Sequence, residues 1–209
     1  MSLGLIGKKL GMTRIFDKEA GSSIPVTVID VKGNTILQTK TPETDGYTAV
    51  QVGFDDQKEF RVNKPDLARF KKAGSSPKRR VQEFRLKNGT VVPTEHPGLA
   101  TFQAGQYVDV IGNTIGRGFQ GAVKRHGFSG QPMAHGHMMH RRTGAIGCRS
   151  TPGRVWKNQK MPGHMGTTKS TIQNLKVIAV REEDGVILVS GSVPGAKGSY
   201  LTIRAAKKK

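Results

Sequence analysis

Cysteine is nearly missing from this chain: its 209 residues hold one, Cys148. A single thiol excludes an intrachain disulfide framework and fits a reducing cytosol. Long apolar runs are missing too. The longest, such as "VILV" at 186–189, are of strand length, far short of the roughly 20 residues a membrane helix needs. The opening "MSLGLIGKKLGMT" places few apolar residues before two lysines, which is not the pattern of a signal peptide. A soluble intracellular protein with no membrane role is expected. The scarcest feature is negative charge in the middle of the chain. Residues 112–170 contain no Asp or Glu, yet hold ten Lys or Arg, twelve Gly and five of the six His.

Over the whole sequence 34 Lys and Arg face 15 Asp and Glu, a formal charge of +19. A fold does not need this imbalance, and self-repulsion makes it costly unless a polyanion is bound. Nucleic acid is the leading candidate and an anionic membrane surface the second. Residues 1–111 carry 17 basic and 12 acidic side chains, and 171–209 carry seven and three, both ordinary mixed surfaces. The 59 acid-free residues between them are not, because both signs normally intermingle on a solvated face. At 35% apolar residues, a core can form without enclosing everything.

The flanks read as β-structure. β-Branched runs bounded by Gly, Asn or Pro occur at 24–31, 35–40 and 47–54, and further strands are expected at 106–112, 172–180, 186–190 and 200–204. Asn88-Gly89 within 81–92 is a hairpin signal. The best helix is "PDLARFKKA" at 65–73, with Pro65 suited to the first turn and Gly74 to the stop. Many short strands imply a mainly β fold, a small closed β-barrel or sandwich. The expected organisation is a discontinuous body, 1–111 and 171–209, with 62–100 as its peripheral helix and hairpin. A long irregular basic extension, 112–170, interrupts it. One short helical turn is expected there, at 119–125. Its sixteen apolar residues are too few to offset about 1–2 kcal/mol of backbone entropy per residue, so a partner is expected to order it.

Three sharper readings fail on the residues. Gly116, Gly118 and Gly121 spell G-x-G-x-x-G, but no acid follows before Glu182 to hold a ribose, and no βαβ unit surrounds them. No cofactor is expected. His135, His137 and His140, with Cys148 and His164 beyond, suggest a metal site. No C-x2-4-C pair or carboxylate accompanies them, however, and Arg141 and Arg142 would repel a dication. Cys148 beside Arg149 lacks a His oriented by Asn or Asp on a rigid element, so nucleophilic catalysis is not expected either. Neither a catalytic set nor a small-molecule substrate is indicated.

RNA remains. Arg117, Lys124, Arg125, Arg141, Arg142, Arg149, Arg154, Lys157, Lys160 and Lys169 can neutralise phosphates. His126, His135, His137, His140 and His164 can donate to phosphate, meet a 2′-hydroxyl or stack on a base. Trp156 is either a core residue or a stacking group. Five methionines offer pliable contacts. Lys8, Lys9 and Arg14 are further candidate phosphate contacts, against the alternative of a solvated face. The rival binding class is a non-specific nucleic-acid-binding architectural protein. That would need a continuous basic helix or rigid apolar wedges, and the helix at 65–73 is too short.

"GLIGKKLGMTRIF" at 4–16, "GRGFQGAVKRHGF" at 116–128, "TPGRVWKNQKMPGHMG" at 151–166 and "SVPGAKGSYLTIR" at 192–204 resemble the bacterial ribosomal protein L-three (uL3) family, in order and over nearly the whole chain. The resemblance implies a barrel of the translation-protein type on the large subunit of a cytoplasmic ribosome. It implies an extension through 23S rRNA towards the peptidyl transferase centre, with its tip around 144–157. Early assembly near the rRNA 3′ end and contacts with neighbouring ribosomal proteins are implied as well. Some members carry a methylated glutamine just before "TPG". Here that residue is Ser150, so the modification is expected to be absent.

Overall fold

The computed structural model describes residues 3–16, 21–86 and 98–209, and the Asn88-Gly89 hairpin falls outside them. The chain is mainly β. Its strands are β1 (Leu5–Phe16), β2 (Ser23–Asp30), β3 (Thr35–Lys40), β4 (Ala49–Asp56), β5 (Lys78–Arg85) and β6 (Tyr107–Asn113), followed by β7 (Gly118–Gln120), β8 (Gly163–Met165), β9 (Lys169–Arg181), β10 (Val186–Ser190) and β11 (Tyr200–Ala205). Helices are few and short: α1 (Pro42–Asp45), α2 (Lys64–Lys72) and α3 (Ala122–His126).

Two compact units divide the described chain, 1–113 with 169–209, and 114–168. In the first, six antiparallel strands pair in the order β1-β11-β6-β9-β10-β2, and β2 pairs back onto β1. Every strand of this ring therefore has both edges satisfied, which removes the open edges that invite aggregation. The inward side chains are the β-branched and leucine residues of those strands. Leu5, Ile29, Val108, Val110, Val177, Ile187, Val189, Leu201 and Ile203 form one buried cluster.

A second sheet, β3-β4-β5, encloses another cluster. Val50, Val52, Phe54 and Phe84 meet Leu3 and Ile6 there. Leu5 thus points into one cluster and its neighbour Ile6 into the other, as alternation along a strand requires. Gly7 follows because there is no room for more: a Cβ there would lie 2.6 Å from Ile29 Cγ2 and 3.0 Å from the Asp30 carbonyl oxygen.

Strand β1 was not among the elements outlined from the sequence. Its Gly7, Lys8, Lys9 and Gly11 break the apolar alternation that identifies strands. A bulge between Lys9 and Gly11 leaves Leu10 as an extra residue outside the register with β2. The segment expected as a helical turn at 119–125 divides instead. Phe119 pairs with His164 in β7 and β8, Gly121 is extended at the N-cap, and the helix begins at Ala122.

Candidate nucleic-acid interface

The unit 114–168 carries nine Lys or Arg and no acid. Its fold is held by backbone and polar bonds, since Ala122 is its one buried residue. At its base the two chain directions run antiparallel. Thr114 N donates to Thr168 O at 2.9 Å and Arg117 N to Met165 O at 2.9 Å, and the β7–β8 pairing continues the ladder. Gly166 makes this approach possible. Its φ is +82, and a Cβ would run into the Ile115 carbonyl oxygen and lie 2.9 Å from Gly116 Cα.

α3 is fastened to the returning chain through one carbonyl. Arg125 Nη1 donates to Met161 O at 2.7 Å, and His126 Nε2 donates to the same oxygen at 2.9 Å. These two side chains thus spend part of their donor capacity inside the unit. Further out, Gln131 N bonds His140 O at 2.7 Å, Arg142 N bonds Met139 O at 2.7 Å, and Met139 N donates to His137 Nδ1 at 3.2 Å. His137 is half-buried, whereas Arg117, Lys124, His135, His140, Arg141, Arg142, Arg149, Arg154, Lys157, Lys160 and His164 are exposed. So is Lys169, the first residue of β9 in the other unit.

Trp156 is 58% exposed, with the Arg154 guanidinium carbon 5.8 Å from its ring centre. That exposure removes the core alternative and leaves an aromatic face beside a cation. Met133 and Met138 are likewise exposed, at 69% and 88%. Cys148 is exposed, and no group of three or more His, Cys, Asp or Glu is gathered for a metal among the described residues. The unit presents dispersed cations, flexible apolar groups and two exposed aromatic rings, Phe119 at 75% and Trp156, not a convergent reactive centre.

The three N-terminal candidates separate. Arg14 is exposed. Lys8 lies 3.9 Å from Asp55, with its side chain 36% exposed. Lys9 is a correction. It is buried, and its Nζ donates to the carbonyls of Val193 at 3.0 Å and Gly195 at 2.9 Å. Burial pushes its pKa down, and its hydrogen bonds tie the β10–β11 connection to β1. An ammonium committed in this way is not free for phosphate.

A second concentration of charge was averaged out of the sequence counts. Residues 58–80 hold nine of the 17 cations in 1–111 and only two of its 12 acids. A count over about 25 residues would have found it.

These features define a basic, mainly β protein whose cations are spread along a surface. Comparison with known proteins supplies the family. Residues 55–187 match the model of "Ribosomal protein L3". The chain is 64% identical to the large ribosomal subunit protein uL3 of Akkermansia muciniphila, with both chains covered completely. It is 51% identical to the uL3 of Streptococcus pyogenes serotype M5, over all of this chain and 99% of the relative. To the uL3 of Brachyspira pilosicoli it is 47% identical over 99% of this chain and 95% of the relative. The chain belongs to the ribosomal protein L3 family, and as a member it is a structural constituent of the large ribosomal subunit rather than an enzyme.

Proposed function

We propose that the chain binds 23S rRNA through the unit 114–168, which acts as a basic finger, while the body of 1–113 and 169–209 carries it. The observation behind this reading is a 55-residue unit with nine cations, no acid and a single buried residue. Such a unit gains little from folding on itself and much from neutralising phosphates. Arg117, Lys124, Arg141, Arg142, Arg149, Arg154, Lys157 and Lys160 meet phosphates in this reading, with Lys169 and Arg14 at the body. Trp156 stacks on a base or ribose, and His135, His140 and His164 make polar contacts. The six paired strands of the body act as a barrel of the translation-protein type.

In the assembled particle the finger points towards the peptidyl transferase centre. The protein joins early, near the rRNA 3′ end, beside other large-subunit proteins in the cytoplasm. What supports this wider reading is family membership and the resemblance of the four motifs.

The test compares the full chain with one whose residues 130–165 are replaced by a Gly/Ser linker. Each is titrated with large-subunit rRNA, and with duplex DNA of equal length, across a salt series. The replacement removes six cations, so the slope of log K against log salt should fall by up to about 5, taking roughly 0.9 per phosphate as a ceiling. RNA should bind more tightly than DNA. Equal, unchanged binding of both would sink the finger reading.

A further inference from the structure

The described body contains a cleft that the finger reading leaves unused. It lies between α2 and the sheet β3-β4-β5, encloses about 710 Å³ and is lined by Leu37, Gln51, Phe70 and Val81 together with several cations. The helix stands there because Pro65 suits its first turn, yet only one of its side chains, Phe70, is buried. A helix anchored by one residue leaves open space beside it. Arg61, Arg69, Lys72 and Arg79 are exposed around that space. Arg69 is 3.3 Å from Asp66, whereas Arg61, Lys72 and Arg79 make no ion pair among the described residues.

Beside Arg61, on the same 3-10 turn, Phe60 is 77% exposed. The Arg61 guanidinium carbon lies 5.5 Å from its ring centre and Lys58 Nζ 6.0 Å. A large aromatic left in water between two cations belongs to neither hydrophobic cluster of the described residues. A cationic groove with an open aromatic face at its rim is the arrangement that holds unpaired nucleotides, the groove following phosphates and the ring stacking a base.

We propose that this cleft is a second RNA-binding surface, taking a single-stranded rRNA segment, with Arg61, Lys72 and Arg79 on phosphates and Phe60 stacked on a base. The proposal rests on the reading that the chain binds rRNA, and it adds a site separate in sequence from the finger. An acidic protein segment would satisfy the cations equally well but would leave Phe60 without a planar partner.

The probe is a twelve-nucleotide oligouridylate containing 4-thiouridine, bound to the full-length protein across a salt series and then photo-crosslinked. One variant removes cleft charge (Arg61→Gln, Lys72→Gln, Arg79→Gln) and another finger charge (Arg141→Ala, Arg142→Ala, Arg149→Ala, Arg154→Ala). Phe60→Leu and Phe60→Tyr test the ring. The cleft variant should lower the salt slope by up to roughly 2, at about 0.7 per phosphate on a single strand. Phe60→Leu should weaken binding about tenfold and Phe60→Tyr should restore it, a rescue that a folding defect would not give. Crosslinks should map to the peptide around Phe60 in both the wild type and the finger variant.

Crosslinks confined to 114–168, with the cleft variant and Phe60→Leu binding like the wild type, would overturn the cleft and leave the finger standing. Equal competition by poly-glutamate of matched charge, with Phe60→Leu silent, would overturn it in favour of an acidic protein. If the wild type binds neither the oligonucleotide nor rRNA at low salt, both readings fall together.

Discussion

A buried ammonium needs acceptors, and Lys9 finds two in the carbonyls of Val193 and Gly195. Lys9→Met keeps the length of the side chain and removes the donor. It should destabilise the fold by about 1–3 kcal/mol in urea unfolding, the usual cost of stranding buried carbonyls. Its salt slope on rRNA should match the wild type, while Arg141→Ala with Arg142→Ala should lower that slope by up to about 1.8. A lowered slope for Lys9→Met would return it to the phosphate contacts. Asp56 makes a different prediction. The Lys78 ammonium at 2.8 Å and the Ser76 hydroxyl hold its carboxyl below the ordinary 3.8. A depressed carboxylate pKa adds stability that is complete above the unfolded value and lost as pH falls through the folded one. Asp56→Asn should therefore unfold more easily than the wild type at pH 6, and the gap should close below about pH 3.8. Asp56 is 69% exposed, so water screens the pair and the gap should be small.

Among elements, β7 and β8 decide whether the finger has a defined base. Gly166→Ala forces a side chain into the backbone at Ile115 and Gly116 from a positive φ. It should weaken rRNA binding while leaving the body's unfolding transition in place, a combination visible by pairing binding titrations with calorimetry. Elements differ in how readable they are. β3 at 35–40 and β10 at 186–190 were legible to the residue, because β-branched and leucine residues cluster between clear breakers. α2 was legible from Pro65 and Gly74. β1 was not: its evidence lies in tertiary fit, with Gly7 pressed against Ile29 and Lys9 bonded to residues more than 180 positions away. The acid-free composition of 114–168 was legible because charge asymmetry needs no fold to be seen. The burial of Lys9 and the exposure of Trp156 depend on neighbours that local sequence does not specify.

For the molecule as a whole, the two parts are stabilised by different things. Both hydrophobic clusters lie in the unit 1–113 with 169–209, while 114–168 has one buried residue and nine of the 34 cations. Replacing 130–165 with a linker should therefore leave Tm within a few degrees of the full chain in low salt, as scanning calorimetry would register. A large drop would mean that the finger supports the body. The central claim is that the unit's partner is RNA, and amide hydrogen exchange of the full chain with and without large-subunit rRNA tests it most directly. Amides in 128–162 should exchange quickly in the free protein and become strongly protected on rRNA, with the body's strands slow in both states. Unchanged exchange across 128–162 in a saturated rRNA complex would contradict the account.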